Sequence, residues 1–382
     1  MEVTVTDPIH AVVMPKWGLS MEEGTIVAWL ADEGATVAPG ADLVEIETSK
    51  INNVMESPAG GTLRRRVVDQ GQTVSVGALL AVIAEPAVDQ AQIDLFITQH
   101  EVVAAEGEPG PSASAEPQTI AAGGCQISFV TAGAGPGPPV LFVHGFGGDV
   151  TNWMFNQPAL AQNHLTYACD LPGHGRSSKQ IAAGDVVWLA GVVADFFDQI
   201  DADKVHLVGH SLGAAVCLHA ALGKPDRAAS LTLICPAGLS RQINIDYIHG
   251  FIGAERRKAV KSVLATLFAD PDRVNRQMVQ DVLRYKRLDG VATALKTIAA
   301  VAFKDGYQAH VQADRLGELQ EAKVRTQIIW GSQDQIITPV EAAGLPTDLH
   351  YHLVDDAGHM VHLEQSAQVN ELIGGLVGAP AA

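Results

Sequence analysis

The pattern of hydrophobic and polar positions changes along the chain. Up to about residue 85, short apolar runs are separated by Gly and Pro residues. This pattern predicts many short strands and therefore a small all-β domain. From about residue 121, strand-like runs, such as 140–143 and 231–234, alternate with helical patterns, such as 186–200 and 214–222. Continuous apolar strands that alternate with helices predict a mostly parallel sheet with helices on both faces.

The first region contains an internal repeat with a constant offset of 37 residues. Three motifs recur at that offset: Gly24-Thr25 as Gly61-Thr62, Asp32-x-Gly34 as Asp69-x-Gly71, and Gly40-Ala41 as Gly77-Ala78. Two copies of one strand-turn-strand plan predict a sandwich of two sheets with quasi-two-fold symmetry. Lys50 falls between the copies, in the turn that joins them. A turn lysine is ordinarily only a solvated residue, but its place at this joint makes it a candidate functional residue.

The sequence around Lys50 resembles that of lipoyl domains. The similarity covers residues 10 to 84 and is carried by three segments: Met14-Pro15-Lys16, Glu45-Ile46-Glu47-Thr48-Ser49-Lys50-Ile51 and Glu56-Ser57-Pro58-Ala59-Gly60-Gly61. The resemblance implies that residues 8–85 form a lipoyl-type carrier domain with lipoate covalently bound to Lys50. Lipoyl domains commonly have Asp where Ser49 stands. Biotin carriers share the fold, but their lysine is usually flanked by methionines, whereas Ser49 and Ile51 flank it here, which favours lipoate.

Residues 86–120 are expected to form a linker. Ile93, Phe96 and Ile97 follow a helical spacing and predict one short amphipathic helix, which either docks a partner or folds back on the neighbouring domain. Residues 106–117 contain few apolar side chains, so this stretch is expected to be disordered. A coil of this length spans on the order of 30 Å and would hold the carrier at roughly millimolar concentration near its target.

Three residues at the ends of predicted strands form a candidate catalytic triad. Ser211 is the centre of a G-x-S-x-G motif between a strand and a helix, where a strained turn exposes the hydroxyl. Asp334 follows the strand that ends at Trp330, and His359 follows the strand 350–354. His359 would accept the serine proton, and Asp334 would fix the tautomer of the imidazole. The order Ser211, Asp334, His359 is that of an α/β-hydrolase triad.

Two backbone amides are candidates for an oxyanion hole. The glycine-rich segment His144-Gly145-Phe146-Gly147-Gly148 follows the strand 140–143, where the amide of Phe146 can point at an oxyanion. The second candidate is the amide of Leu212, directly after the candidate nucleophile. His144, His174 and His210 are interpreted as loop and packing residues.

Residues from about 124 to the end resemble the α/β-hydrolase superfamily, and Asp170-Leu171-Pro172-Gly173-His174-Gly175-Arg176-Ser177 is a further turn of that family. The resemblance implies that residues 121–382 form an α/β-hydrolase-fold catalytic domain. The helix-rich, charged segment 239–322 interrupts the predicted sheet and resembles the lid inserted over many such active sites. A lid would shape the acyl pocket and control the entry of water.

A lipoyl-type carrier followed by a hydrolase-type triad resembles the dihydrolipoyllysine acetyltransferase components of acetoin dehydrogenase complexes. The resemblance implies transfer of acetyl from S-acetyl-dihydrolipoyl-lysine to the co-substrate coenzyme A through an acyl-serine intermediate. It also implies an oligomeric complex with a thiamine-diphosphate-dependent dehydrogenase and dihydrolipoamide dehydrogenase. Two alternatives stay open: a serine hydrolase for an ester or carbon–carbon bond, tethered by its lipoyl domain, and a hydrolase-fold scaffold in which only the carrier is active.

Composition narrows the remaining classes of function. The net charge of −18 argues against binding to nucleic acid or to an anionic membrane, because both require a basic face. No metal-ligand spacing is evident, so no metal is expected, and no basic cluster can be assigned to the phosphates of coenzyme A. Cys169, Cys217 and Cys235 lie in apolar runs, which indicates buried thiols in a reducing compartment. No export signal or membrane-length apolar run is visible, so a cytoplasmic location is expected.

Overall fold

The computed structural model describes residues 9–15, 23–48, 52–94, 96–97, 116–200, 202–341, 344–346 and 349–378. The chain divides into two compact units, Met1–Ser114 and Ala115–Ala382. Lys50, with its neighbours Ser49 and Ile51, lies outside the described residues, and so do residues 106–115 of the stretch predicted to be disordered.

The first unit contains two four-stranded antiparallel sheets. The strands are β1 (Ile9–Val13), β2 (Glu23–Trp29), β3 (Thr36–Val37), β4 (Asp42–Glu47), β5 (Asn52–Glu56), β6 (Gly61–Arg66), β7 (Thr73–Ser75) and β8 (Leu79–Ala84). One sheet has the strand order β1-β8-β6-β3 and the other the order β5-β4-β2-β7. A single cluster of buried side chains includes residues of both sheets, such as Ile26, Ile46, Leu63 and Ile83. The predicted β-sandwich is therefore confirmed.

The 37-residue repeat has a direct physical basis in the packing of its glycines. A β-carbon added to Gly24 would lie 2.8 Å from Cγ2 of Ile46, and one added to Gly61 would lie 2.9 Å from Cγ2 of Ile83. Gly24 and Gly61 are equivalent positions of the repeat, and so are Ile46 and Ile83. Each copy thus keeps a glycine because an isoleucine of the core fills the space that a side chain would need.

The predicted amphipathic helix is present as α1 (residues 90–97, of which residue 95 is not described). Ile93 is fully buried in a small cluster with residues of β8, and Phe96 and Ile97 pack against the same cluster. Asp94 also forms an ion pair of 3.0 Å with Arg65 of β6. Of the two roles predicted for this helix, the structure shows the one in which it folds back on its neighbouring domain.

The second unit is built on an eight-stranded sheet with the order β16-β15-β14-β13-β11-β12-β10-β9. Its strands are β9 (Gln118–Ala122), β10 (Cys125–Ala132), β11 (Val140–Val143), β12 (Thr166–Cys169), β13 (Val205–His210), β14 (Ala228–Ile234), β15 (Arg325–Gly331) and β16 (His350–Val354). The pairs β10–β9 and β10–β12 are antiparallel, and the other neighbouring pairs are parallel. The mostly parallel sheet that the sequence predicts is confirmed.

Ten helices flank or follow these strands in the described part of the second unit. They are α2 (Gln157–Ala161), α3 (Val186–Gln199), α4 (Leu212–Gly223), α5 (Ile245–Gly253), α6 (Arg257–Ala265), α7 (Arg276–Lys286), α8 (Val291–Ala302), α9 (Leu316–Glu321), α10 (Val361–Glu364) and α11 (Ser366–Gly378). Side-chain caps define several starts: Asp185 accepts from the amide of Trp188 in α3, and Asn275 accepts from the amide of Met278 in α7. None of the helices described is long and apolar enough to cross a membrane.

The sheet brings the candidate site residues to one edge. Strands β11, β13, β15 and β16 are mutually parallel through their neighbours, so their carboxyl ends lie at the same side of the sheet. Strands β11 and β13 are buried at every position: β11 is an unbroken apolar run, and β13 also buries His206 and His210. The loops that follow these four strands carry Phe146, Ser211, Asp334 and His359. A ligand site is expected at such an edge.

Candidate active site

Ser211 lies in the sharp turn between β13 and α4. Its φ of 53° and ψ of −118° are unusual for an L-residue and hold the backbone in a strained conformation. A β-carbon at Gly209 would lie 2.5 Å from the carbonyl oxygen of Gly213, and one at Gly213 would lie 2.2 Å from the carbonyl oxygen of Val143. The two glycines of the motif are therefore required, because on both sides of the serine another part of the backbone occupies the space that a side chain would need.

Gly213→Ala is expected to destabilise the second unit by about 3 kcal/mol, because the carbonyl of Val143 belongs to the central sheet and cannot move aside. Thermal unfolding followed by circular dichroism should show a transition lowered by roughly 6–12 °C. Gly223→Ala is the matched control: it lies at the other end of α4, and no atom lies within 4 Å of the added β-carbon. An equal loss of stability in both variants would contradict this account of the turn.

Asp334 and His359 are in direct contact. Nδ1 of His359 lies 2.8 Å from Oδ2 of Asp334, and both side chains are buried. Nε1 of Trp330 donates to the same oxygen at 3.0 Å, and the amides of Ile336 and Ile337 donate to Oδ1 at 2.8 and 3.0 Å. Since an ionised carboxylate only accepts hydrogen bonds, Nδ1 is the donor in the contact with His359. The carboxylate thereby orients the ring and leaves Nε2 outside this contact, as a candidate general base requires.

His210 links the serine turn to the loop of His359. Nε2 of His210 lies 2.9 Å from the backbone carbonyl oxygen of His359, and the centroids of the two rings are 4.7 Å apart. Within the described residues, the hydroxyl of Ser211 forms no hydrogen bond, so the structure brings Asp334 and His359 together without a serine–histidine hydrogen bond. Such contacts commonly tighten only in the complex with substrate.

Three further histidines around the site are held in the neutral form. Burial lowers the pKa of His174 to about 3, with a smaller contribution from His144. Burial, followed by the proximity of His359, also lowers the pKa of His362 to about 3. The pKa of His210 lies well below its usual value for the same main reason, burial, with His362 and His359 beside it. As an uncharged ring, His210 packs on His359 and His362, whereas the uncharged ring of His174 packs on His144 and Phe146.

His144 has a structural role in the loop after β11 (residues 144–149), which carries the candidate oxyanion amide of Phe146 and is called the oxyanion loop below. Its Nδ1 lies 2.7 Å from the carbonyl oxygen of Gly145, and its Nε2 accepts from the amide of Leu171 at 3.0 Å. Nδ1 is therefore the protonated nitrogen, and the ring ties the loop after β11 to the loop after β12. Burial is the main cause that lowers the pKa of His144.

The loop after β11 approaches the serine closely. A β-carbon at Gly145 would lie 3.0 Å from Cβ of Ser211, so the next amide, that of Phe146, lies close to the candidate nucleophile. Among the described residues, no acceptor is found for the amide of Phe146 or for the amide of Leu212 at the first position of α4. Two backbone donors beside Ser211 are thus available to a developing oxyanion.

Helices α5 to α8, which lie in the chain between β14 and β15, contact both loops of this site. The ring of Phe146 packs against Phe251 of α5 and against Phe303, with centroid distances of 6.1 and 5.7 Å. On the other side, the carbonyl oxygen of Leu267 accepts from the amide of Met360, the residue after His359. Helices α5 to α8, called the inserted helices below, therefore adjoin the oxyanion loop and also the loop of His359 after β16, called the histidine loop below.

Glu364 supports the histidine loop and was not recognised in the sequence. Oε2 of Glu364 accepts from the amide of Gly358 at 2.7 Å, and Oε1 accepts from the amide of Ala269 at 2.8 Å. Burial raises the pKa of this carboxyl group. It joins the residue before His359 to the inserted helices, a contact between segments far apart in the sequence that no local motif reveals.

Cys235 adjoins the acid and the base. All four cysteines are free and buried, and Cys235 has a positive φ of 41° at the end of β14. Its sulfur, a carboxylate oxygen of Asp334 and a ring nitrogen of His359 lie within 4.8 Å of one another, the one group among the described residues that could surround a metal ion. Burial, and then Asp334, raise the pKa of the thiol well above its usual value, so it stays protonated. Both oxygens of Asp334 are already engaged by four donors.

The strand pairing around Lys50 fits a carrier hairpin, although Lys50 itself lies outside the described residues. Strands β4 and β5, which precede and follow it, pair antiparallel with Glu47 opposite Asn52. The chain therefore reverses between these two residues, at one end of a sheet. A lysine in such a connection is a suitable place for covalently attached lipoate.

Comparisons with known proteins agree with this two-part organisation. The α/β hydrolase fold family matches residues 138–366, and the family of biotin-requiring enzymes matches residues 10–83. The chain is 40% identical over 373 residues, 98% of each chain, to the dihydrolipoyllysine-residue acetyltransferase component of the acetoin cleaving system of Cupriavidus necator. It is 41% identical over 364 residues to the protein of the same description from Pseudomonas putida, covering 95% of this chain and 97% of that one.

Solved structures agree in fold. A meta-cleavage product hydrolase from Pseudomonas fluorescens is 18% identical and superimposes with a TM-score of 0.60. The similarity covers 68% of this chain and 96% of that hydrolase. At this identity the likeness shows an α/β-hydrolase fold and no particular reaction.

Proposed function

This chain belongs to the family of dihydrolipoyllysine-residue acetyltransferase components of acetoin cleaving systems, and we propose that Ser211, His359 and Asp334 perform its acetyl transfer to coenzyme A. In this proposal, residues 8–85 form the carrier with lipoate on Lys50, residues 86–120 form the linker, residues 121–382 form the catalytic domain and residues 239–322 form its lid. The observation that carries the proposal is the 2.8 Å contact of His359 with Asp334 beside the strained turn of Ser211.

The first half-reaction transfers acetyl to the serine. Attached lipoate, once reduced, supplies a thiol that holds the acetyl group as a thioester. Oγ of Ser211 attacks the carbonyl carbon of this thioester while its proton passes to Nε2 of His359, and Asp334 stabilises the imidazolium. The amides of Phe146 and Leu212 receive the oxyanion, each contributing about 3 kcal/mol. The carbon–sulfur bond then breaks, the leaving sulfur takes the proton from His359, and acetyl remains on Ser211.

The second half-reaction runs the same steps with coenzyme A. Its thiol gives a proton to His359, the sulfur attacks the ester carbonyl, and the carbon–oxygen bond breaks as Oγ of Ser211 regains a proton. Water must be kept out, because it would release the acetyl group as acetate. We assign this role to the inserted helices, whose residues Phe251 and Phe303 pack on Phe146 beside the oxyanion amides.

The carrier also requires other enzymes, which fits a component of an acetoin cleaving system. Its thiol must be acetylated, and its dithiol must be reoxidised after each transfer. We infer a thiamine-diphosphate-dependent dehydrogenase as the source of acetyl and dihydrolipoamide dehydrogenase as the oxidant. Together with this chain they would form an oligomeric complex.

Trapping the acetylated enzyme tests the proposed route. Full-length protein mixed with S-acetyl-dihydrolipoamide, without coenzyme A, is expected to accumulate one acetyl group on the peptide that contains Ser211. Acid quenching and peptide mass spectrometry would detect it, and added coenzyme A should discharge it as acetyl-coenzyme A. Formation of acetyl-coenzyme A with no acetyl on Ser211 would refute the covalent route. Steady release of acetate without coenzyme A would instead favour a hydrolase.

A further inference from the structure

A cavity of about 440 Å³ on helices α6 and α7 is not used by the chemistry described above. It is lined by Arg257, Gln280, Leu283, Arg284, Arg287 and Leu288. Resting on the acetyl transfer proposed above, we propose that this cavity binds the phosphate-bearing adenosine end of coenzyme A. No residue for this part of the co-substrate is assigned by the triad or by the oxyanion loop.

The charge around the cavity favours a polyanion. Residues 256–287 contain nine lysines and arginines and three aspartates, a net charge of +6 in a chain whose net charge is −18. Arg284 forms an exposed ion pair with Asp281 at 3.2 Å. Among the described residues, Arg257 and Arg287 have no acidic group within 4.0 Å. Arginine recognises phosphate through paired N–H donors, so two arginines without a carboxylate partner suit phosphate groups.

The other lining residues suit a nucleoside. Leu283 is buried and Leu288 is half-exposed, so each offers an apolar surface to a flat ring. The amide of Gln280 can both donate and accept hydrogen bonds, as recognition of a base or a sugar requires. A mostly apolar cavity with a few convergent polar groups is the usual form of a small-molecule site.

The cavity lies within reach of the catalytic residues. Arg257 begins α6, and Leu267, just beyond the end of that helix, bonds to the residue after His359. Ten residues of helix correspond to about 15 Å. The pantetheine arm of coenzyme A has about twelve chain bonds between its phosphate and its thiol. Four residues of extended backbone have the same number of bonds, so the arm spans roughly 14 Å when it is extended. If the nucleotide part of coenzyme A is held in the cavity, its pantetheine arm can therefore place the thiol near the loop that carries His359.

Helix α7 connects the cavity to the oxyanion loop as well. Tyr285 donates to the carbonyl oxygen of Gly173 at 3.3 Å, next to His174, whose ring packs on Phe146. Lys286 donates to the carbonyl oxygen of Phe251, and the ring of Phe251 also packs on Phe146. Two arginines of the cavity, Arg284 and Arg287, thus directly precede and follow Tyr285 and Lys286 in the sequence.

The acidic carrier domain is the competing occupant. Residues 8–85 contain ten acidic residues and five lysines and arginines, a charge opposite to that of residues 256–287. Two folded domains, however, meet over about 800 Å² on each side, which requires a broad face rather than a pocket. The concave shape and the apolar residues favour the nucleotide, and the experiment below distinguishes the two.

Replacing Arg287, or Arg257 and Arg287 together, with alanine in the full-length protein tests the proposal. Both side chains are exposed, so folding is not expected to change. The ratio of kcat/KM for coenzyme A to that for pantetheine, which has the same thiol without the nucleotide, is expected to fall about tenfold for each arginine removed. The effect should appear in KM for coenzyme A. Arg276→Ala is the matched control, because Arg276 begins α7 and does not line the cavity.

Direct binding separates this proposal from the one on which it rests. Calorimetric titration with adenosine 3′,5′-bisphosphate should give saturable binding to wild-type protein and to Arg276→Ala, and binding weakened about tenfold by Arg287→Ala. This measurement needs no acetyl transfer, so it remains decisive even if Ser211 forms no acetyl ester. An unchanged ratio for coenzyme A and pantetheine would overturn the proposal. So would a raised KM for the lipoyl-domain donor alone, which would assign the cavity to the carrier.

Discussion

Ser211→Ala is expected to lower acetyl transfer from S-acetyl-dihydrolipoamide to coenzyme A on the order of 10⁴- to 10⁶-fold. Without Oγ there is no group to form the ester, and coenzyme A must attack the thioester directly. The amides of Phe146 and Leu212 remain and leave a residual rate above that in solution. Stopped-flow or quenched-flow measurement of acetyl-coenzyme A formation would give the ratio.

Two comparisons make this result specific. Ser262→Ala removes an exposed hydroxyl from α6 and is expected to leave the rate unchanged. Addition of His359→Ala to Ser211→Ala is expected to cause little further loss, because a nucleophile and its base act as one unit. Acetyl-coenzyme A formation at the wild-type rate by Ser211→Ala would show that Ser211 is not the nucleophile. Rates that fall independently in the two variants would show that His359 serves another step.

Much of this site could be predicted because parallel strands place their carboxyl ends together. Strands 140–143 and 350–354 were predicted with the bounds that the structure has. Residues 334 and 359 follow separate strands, and the structure brings their side chains to 2.8 Å. The glycines around Ser211 are required by a close approach of backbone segments, and the local G-x-S-x-G motif made this turn predictable.

The residues that the sequence did not reveal depend on contacts between distant segments. Glu364 supports Gly358 and Ala269, and neither the charge nor the spacing of Glu364 indicates this. The three arginines of the cavity come from α6, from α7 and from the residue after α7, so the sequence showed only a charged segment. Strand β9 is an edge strand of the large sheet, and in the sequence it begins within the segment that was expected to be a linker. It has no apolar pattern of its own and forms by pairing with β10.

The attachment of lipoate depends on one side chain, and Lys50→Arg is expected to remove it while retaining the positive charge. The guanidinium of arginine stays protonated and is not acylated as the amine of lysine is. Acetyl-coenzyme A formation in the reconstituted acetoin cleaving system should fall by at least about 10²-fold, because tethering no longer concentrates the acetyl donor at the catalytic unit. Transfer from free S-acetyl-dihydrolipoamide should persist, because in the proposed mechanism that reaction takes place in the catalytic domain and does not use Lys50.

Lys16→Arg is the matched control, since Lys16 is the other lysine of the carrier domain. Mass spectrometry of protein made in the native cell should find the mass of lipoate on the peptide of Lys50 in wild type and in Lys16→Arg, and no modification in Lys50→Arg. The mass of biotin at Lys50 would contradict the carrier assignment, as would lipoate at Lys16. A loss of transfer from free S-acetyl-dihydrolipoamide in Lys50→Arg would contradict the proposal that the two domains have separate functions. It would show that the carrier domain is part of the catalytic site and does not only carry the substrate.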